Sequence, residues 1–64
     1  MIISKEKYCI ASKSYPIKFY MDGNEYDDVE DVLLTDKEYY EDELKTYDEP
    51  ENFQIIKVMV TYEL

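Results

Sequence analysis

The sequence contains no histidine and no tryptophan, and it has a single cysteine, Cys9. All seven basic residues are lysines, so arginine is absent as well. Without histidine or a second cysteine, the chain has no plausible ligand set for zinc. A lone cysteine cannot form an intramolecular disulfide and is typical of a reducing, cytosolic compartment. We therefore expect Cys9 to be a small buried hydrophobic residue, and we expect no metal ion or other cofactor.

The same absences argue against catalysis. A cysteine nucleophile needs a base nearby, and that base is usually a histidine. The chain's one glycine, Gly23, cannot form a glycine-rich phosphate loop. The acidic run at residues 27–31 lacks the glycine and glutamate spacing of an EF-hand calcium loop. We expect a protein without enzymatic activity.

The length of 64 residues predicts a single domain, residues 1–64. A domain of this size buries only about 60% of the surface that its unfolded chain exposes, so a partner chain would add stability. A homodimer is therefore one hypothesis. Residues 1–7 lack the apolar stretch of a signal peptide, and no run reaches the roughly 18 apolar residues of a membrane span. We expect a soluble, cytoplasmic protein.

The negative charge is concentrated in one part of the chain. The formal net charge is −9, from 16 acidic and 7 basic residues. Residues 22–51 hold 14 of the acids but only Lys37 and Lys45, so this segment alone carries −12. Direct binding to nucleic acid or to an anionic membrane is disfavoured, because each phosphate contact needs a cation. A protein partner with a basic surface is favoured.

The hydrophobic pattern predicts an antiparallel sheet. Residues 2–11 and 15–21 read as strands, the second with a clear period-2 alternation. Gly23 lies in an Asp-Gly-Asn turn, around which the chain would form a hairpin. Residues 53–63 are rich in β-branched side chains and read as a central strand. Residues 32–34 are expected to add a short strand, so the sheet has three strands or four.

A helix is predicted at residues 36–47, with Thr35 or Asp36 as its N-cap. Its apolar positions recur at helical spacing and would pack on the sheet; they are Tyr40, Leu44 and Tyr47. The predicted fold class is therefore α+β, with one helix packed on one face of a small antiparallel sheet.

The chain has eight tyrosines. Periodicity assigns five of them to the core: Tyr8, Tyr15, Tyr40, Tyr47 and Tyr62. The other three lie near the acids and are expected at the surface: Tyr20, Tyr26 and Tyr39. Exposed tyrosines among acids are typical of a protein-binding surface, because tyrosine buries a large area at a low entropic cost.

Five acids in the predicted helix would be spaced by about 3.6 Å along its axis, if each residue rises 1.5 Å. This is close to the charge spacing of about 3.4 Å along one DNA strand. The bland alternative is that the acids only solubilise the protein. The five residues are Asp36, Glu38, Glu41, Asp42 and Glu43.

Three segments carry a resemblance: residues 7–10 (Lys-Tyr-Cys-Ile), residues 33–36 (Leu-Leu-Thr-Asp) leading into the acidic helix, and residues 48–53 before 60–64. With these segments, the chain resembles small acidic proteins of bacteriophages and other mobile elements. The resemblance implies an inhibitor of host defence, of the anti-CRISPR or anti-restriction type, several of which mimic DNA.

The resulting hypothesis is a phage-type inhibitor that blocks a basic, nucleic-acid-binding surface of a host nuclease or defence complex. The alternative is a non-catalytic regulatory or structural adaptor, acting as a homodimer, in which the acids only solubilise. The residues predicted to bind the partner are Tyr26, Asp27, Asp28, Glu30, Asp31, Glu38, Tyr39, Glu41 and Asp42.

Overall fold

The computed structural model, which describes residues 1–64, contains a four-stranded antiparallel sheet and one α-helix. The strands are β1 (Ile2–Ser12), β2 (Phe19–Met21), β3 (Asn24–Tyr26) and β4 (Phe53–Glu63), in the spatial order β3-β2-β1-β4. The helix α1 spans Lys37–Leu44, and short 3-10 turns occupy Val29–Val32 and Pro50–Asn52. Helix α1 contacts β1 and β4. The predicted α+β fold class is confirmed.

The first and last strands pair along their whole length. The register runs from Ile2 opposite Glu63 to Ser12 opposite Phe53 without a break. Strand β1 is central, because it also pairs with β2, whereas β4 pairs on one side only. The prediction of a central strand at residues 53–63 is therefore wrong: β-branched residues favour any half-buried strand and do not distinguish an edge from a centre.

The predicted turn around Gly23 forms a hairpin between β2 and β3. Asp22 and Gly23 have φ values of 53° and 79°, and Met21 pairs with Asn24 across them. Positive φ at both central residues is the requirement of a type I′ turn, whose twist matches that of the flanking strands. The fourth strand consequently lies at β3, directly after the turn.

The segment predicted as a short strand at 32–34 contributes one residue to the sheet. Tyr8 and Leu34 exchange both backbone hydrogen bonds, at 2.7 Å and 3.0 Å. The preceding residues form a 3-10 turn instead, because the Asp28 carboxylate accepts a hydrogen bond from the Glu30 amide and caps that turn.

The strand predicted at 15–21 begins only at Phe19. Ser12 closes a loop before it: its amide donates to the Lys18 carbonyl (2.9 Å) and its hydroxyl accepts from the Lys18 amide (3.0 Å). Pro16 lies in that loop and has no amide to donate to a ladder. Tyr15 is 91% exposed as a result, so its assignment to the core is wrong.

Helix α1 starts as predicted but ends early. Asp36 is the N-cap and accepts a hydrogen bond from the Tyr39 amide at 3.4 Å. At the other end, the amides of Thr46 and Tyr47 bond to carbonyls three residues back, at 2.9 Å and 3.2 Å. The Thr46 hydroxyl also donates to the Glu43 carbonyl at 2.6 Å. Such bonds compete with the α-helical pattern, so the helix ends at Leu44 instead of residue 47.

The core is small and centred on β1. Five residues are buried: Cys9, Ile10, Ala11, Val32 and Tyr40. Neighbouring residues on a strand point to opposite faces, so burial of three in succession shows that both faces of β1 are covered here. The Tyr40 hydroxyl donates to the Val32 carbonyl and thereby ties α1 to the first 3-10 turn.

The molecule is elongated, with extents of 43 × 24 × 16 Å. Strand β2 pairs with β1 only at Ile10 and Ala11, and Leu34 pairs only at Tyr8. Towards the termini, β1 and β4 therefore pair only with each other. We call residues 1–7 and 58–64 the ribbon, and residues 8–57 the head.

Tyr40→Phe is expected to lower the free energy of unfolding by about 1–3 kcal/mol, because it leaves the buried Val32 carbonyl without its donor. Urea unfolding followed by circular dichroism measures this. Tyr15→Phe is the matched control and should have no effect, since Tyr15 is exposed. Equal stability of both variants would contradict a structural role for the Tyr40 hydroxyl.

Burial raises the pKa of the Cys9 thiol from 9.0 to about 11. As the pH rises, the thiol of the unfolded chain loses its proton before the buried thiol of the folded protein does. The contribution of Cys9 to the free energy of unfolding is therefore complete below pH 9 and is lost as the pH rises through 11. The shift corresponds to about 2–3 kcal/mol. Unfolding free energy measured at pH 8 and pH 11 should fall by less in Cys9→Ala than in the unsubstituted protein. Identical pH dependence of the two would refute the shift.

Candidate partner-binding surface

The net charge of the molecule resides in the head. In the ribbon, Lys5 and Lys7 balance Glu6 and Glu63, so the head carries the whole formal charge of −9. Thirteen of the 14 acids in residues 22–51 are exposed, and Glu43 is the half-buried exception. The head is therefore strongly negative at its solvent surface.

Few of these acids have a cationic partner. Within the head, Lys18 pairs with Asp27, and Lys45 pairs with Asp42 at 3.9 Å. The second pair is about 80% exposed on each side, so it contributes little. The remaining acids have no salt bridge within the head, and their combined field reaches solvent.

Glu43 is the centre of an acid–tyrosine cluster, defined by Asp22, Tyr39, Glu43 and Tyr47. One carboxylate oxygen of Glu43 accepts from the Asp22 amide at 2.8 Å, and the other accepts from the Tyr47 hydroxyl at 2.5 Å. The Tyr39 hydroxyl donates to the Asp22 carboxylate. These bonds hold the β2–β3 turn against α1.

Both phenols of the cluster have raised pKa values. For Tyr39, the main cause is its hydrogen bond to Asp22, because a phenolate there would repel the carboxylate. For Tyr47, burial raises the pKa most, and the hydrogen bond to Glu43 adds to it. Each phenol therefore stays protonated at neutral pH and remains a hydrogen-bond donor.

The cluster lines a shallow, open depression of about 570 Å³, together with Asp42. A second depression of about 510 Å³ shares Tyr47 with it and adds Asp48 and Glu49. Neither is lined by a lysine. We call the two together the acidic depression. An open, acidic, partly aromatic hollow suits basic side chains of a protein partner.

Of the nine residues predicted to bind the partner, the structure brings Tyr39 and Asp42 together in the acidic depression. Glu38 and Glu41 are exposed on α1, and Glu41 lines a separate depression beside Ile55. Tyr39 is 42% exposed and is therefore available as an aromatic contact.

The other five predicted residues lie on the segment that runs from β3 into the first 3-10 turn. Asp27 forms a salt bridge with Lys18, and the Asp28 carboxylate caps the 3-10 turn. Glu30 and Asp31 are exposed. Tyr26 is half-buried and packs against the core, so it offers less contact area than an exposed tyrosine.

Sequence reasoning missed Asp22, Glu43 and Tyr47 as parts of this surface. The spacing of Glu43 and Tyr47, four residues apart at the end of a helix, is a signal that a pair could form. Nothing local indicates that the Asp22 amide meets Glu43, because that contact joins residues 21 positions apart.

Three further tyrosine assignments are wrong, and the first is Tyr26, which is half-buried against the core and not at the surface. Tyr20 was expected at the surface, but it packs edge-to-face on Phe53 (5.0 Å between ring centroids) and on Tyr47 (6.5 Å). Tyr62 was expected in the core, but it is 41% exposed. Tyr62 is exposed because the helix covers the sheet only at the head end and does not reach the ribbon.

The comparison with the charge spacing of a DNA strand does not hold. Helix α1 has eight residues, and Glu43 is directed to Tyr47 and the Asp22 amide instead of forming part of an exposed row. Any attraction to a basic partner comes from the field of the whole head.

No three of the acidic and cysteine side chains are grouped so that they could hold a metal ion. No helix here has the length and apolar character needed to cross a membrane. No protein-family model, curated protein or solved structure matches this chain.

Glu43→Ala is expected to lower the free energy of unfolding by about 1.5 kcal/mol, since it removes two hydrogen bonds to a charged acceptor at a partly exposed site. Glu41→Ala removes the same charge from the same helix, and Glu41 has no hydrogen bond or ion pair there. The difference between the two variants in urea unfolding isolates the cluster. A difference near zero would contradict its structural role.

Proposed function

We propose that the protein is a non-catalytic inhibitor of the phage type. It binds a basic, nucleic-acid-binding surface of a host defence nuclease or complex in the bacterial cytoplasm and blocks that surface. The observation that carries the proposal is the charge distribution: the head holds the whole −9, and nearly all of its acids are exposed.

The chemistry of the head supports a protein partner over a nucleic acid. Exposed carboxylates repel phosphates, whereas a groove built to bind nucleic acid presents lysine and arginine side chains. A field of one sign speeds the encounter of such partners at low salt. The inhibitor would then exclude nucleic acid both by occupying the groove and by neutralising its charge.

The acidic depression supports a defined contact within that field. Tyr39 stands at its edge with its hydroxyl fixed by Asp22, so its ring is held in place before binding. A pre-ordered aromatic ring loses little entropy when it is buried in an interface. Asp42, beside it, offers a carboxylate to a basic side chain.

The second candidate is a regulatory or structural adaptor that acts as a homodimer. The unpaired outer edge of β4 and the exposed apolar residues of the ribbon favour it. An adaptor of this kind should keep its partner at high salt, lose it when exposed tyrosines become alanine, and be indifferent to nucleic acid.

The first experiment is a pull-down from bacterial lysate with tagged protein, washed at low and then high salt, with mass spectrometry of the eluates. The inhibitor proposal expects a nucleic-acid-binding defence protein that is released by salt and displaced by duplex DNA. Recovery of a salt-resistant partner, or of the protein alone, would overturn it.

The double variant Glu38→Gln/Glu41→Gln tests where the charge acts. It should weaken binding to the captured partner by about two- to thirtyfold at low salt, since each exposed charge contributes about 0.2–1 kcal/mol. The matched control is Ile2→Lys/Ser4→Lys on the ribbon, because each pair of changes raises the net charge from −9 to −7. Surface plasmon resonance measures both. Equal weakening would mean that total charge matters and its location in the head does not.

A further inference from the structure

The outer edge of β4, on the side away from β1, presents backbone amides and carbonyls that pair with no other strand. Both backbone hydrogen bonds of Tyr8 go to Leu34, on the side of β1 away from β4. Tyr8 and Lys57 are therefore a non-hydrogen-bonded pair, and the amide and carbonyl of Lys57 point outward from the sheet. The same outward direction recurs at every second residue of β4. In the ribbon these residues are Met59, Thr61 and Glu63.

This edge is poorly protected against pairing with another strand. Charged residues, prolines and bulges usually block exposed strand edges. Between Lys57 and Glu63, the five residues 58–62 carry no charge and no proline, and the register with β1 has no bulge. The free edge of β1 differs, because residues 5–7 are Lys, Glu and Lys.

We infer that two copies of the chain associate through the outer edges of β4, antiparallel and with the two-fold axis at Val60. The two four-stranded sheets then become one continuous sheet of eight strands. Lys57 of each copy lies opposite Glu63 of the other, and Met59 lies opposite Thr61. These are the outward-facing residues, so their backbones form the hydrogen bonds between the copies.

Charge complementarity selects this register. A two-fold axis perpendicular to the sheet pairs residues of the same face. One residue of β4 then lies opposite its own copy, and the axis is named by that residue. An axis at Lys57 places two lysines opposite each other, which is unfavourable. With the axis at Val58 or Met59, Lys57 faces an uncharged residue. Only the axis at Val60 pairs Lys57 with Glu63, and it does so twice. Within its own chain Lys57 contacts Glu6 at 3.8 Å, but both side chains are more than half exposed, so this contact is weak and leaves Lys57 accessible.

The side chains on the other face are also compatible. Val60 meets Val60 of the second copy, and Val58 meets Tyr62. Val58 and Val60 are half-buried and Tyr62 is 41% exposed in the single chain, so pairing removes apolar surface from water. Aromatic and β-branched residues are favourable cross-strand neighbours.

The antiparallel arrangement also separates the two negative heads. Lys57, where β4 enters the head, is three residues from Val60. At about 3.3 Å per residue, the two Lys57 positions are about 20 Å apart. Repulsion over this distance is largely screened at physiological salt, where the Debye length is about 8 Å. The ribbon has no net formal charge, so the contact itself carries no repulsion of like charges.

The oligomeric state of the full chain tests the inference. Sedimentation equilibrium should give a mass of twice 7.8 kDa at high micromolar concentration. Met59→Pro removes an outward amide and no bond to β1, so it should weaken the dimer at least tenfold while circular dichroism keeps the folded signal. Met59→Ala is the matched control, because it retains the amide and should remain dimeric. A monomer at all concentrations, or a dimer that Met59→Pro leaves intact, would overturn the inference.

Disulfide trapping tests the register. In a Cys9→Ala background, Val60→Cys should form a covalent dimer with oxidised glutathione as the oxidant, because its two copies meet at the axis as a non-hydrogen-bonded pair, with a Cα separation of about 4.5 Å. Val58→Cys should stay largely reduced, since it faces Tyr62. Trapping at residue 58 in preference to residue 60 would exclude this register. The inhibitor proposal depends on the head alone and would survive either result.

Discussion

The pairing of β1 with β4 is the constraint on which the rest of the structure depends. It joins the two ends of the chain over 11 residues of each strand, and the buried residues Cys9, Ile10 and Ala11 lie on it. Such contacts between distant residues carry a large loop-closure cost. The packing of the 40 residues between the strands offsets part of this cost, and these residues pack against one end of β1. The uneven coverage that results creates both the head and the bare ribbon.

The second constraint is an excess of carboxylates over cations. Tyrosine compensates for it locally, because a phenol is a neutral donor that can satisfy a carboxylate. Four of the eight tyrosines donate to acidic side chains: Tyr8 to Glu6, Tyr20 to Glu25, Tyr39 to Asp22 and Tyr47 to Glu43. Three of these tyrosines, Tyr8, Tyr20 and Tyr47, also pack against the core. Half of the tyrosines thus act as neutral hydrogen-bond donors to carboxylates.

The two proposals use opposite ends of the molecule. The head offers charge and an ordered aromatic ring, which suit a basic partner. The ribbon is neutral and has an open strand edge, which suits a second copy. An antiparallel dimer would carry two heads at its ends, so one assembly would present two acidic surfaces to partners that are themselves dimeric or repeated.

Local patterns in the sequence determined the fold class, the turn at Gly23, the N-cap of α1 to within residues 35–36 and the strand at 53–63. Each of these follows from a property of adjacent residues: alternation, capping or a positive φ. The charge of the surface was equally determined, since acids in such number cannot be buried. Strand β3 could not be predicted from the sequence, because its three residues, 24–26, are too few and too polar to show a periodic pattern.

Only the tertiary structure decided which segments those patterns meet. Periodicity states that one face of a segment is apolar, but burial depends on what covers that face. Tyr62 satisfies the same alternation as Ile56, yet it is exposed because the helix ends before the ribbon. Glu43 is acidic like its neighbours, yet it turns inward because the Asp22 amide and the Tyr47 hydroxyl are brought to it. The acidic depression therefore depends on contacts between segments that no local pattern records.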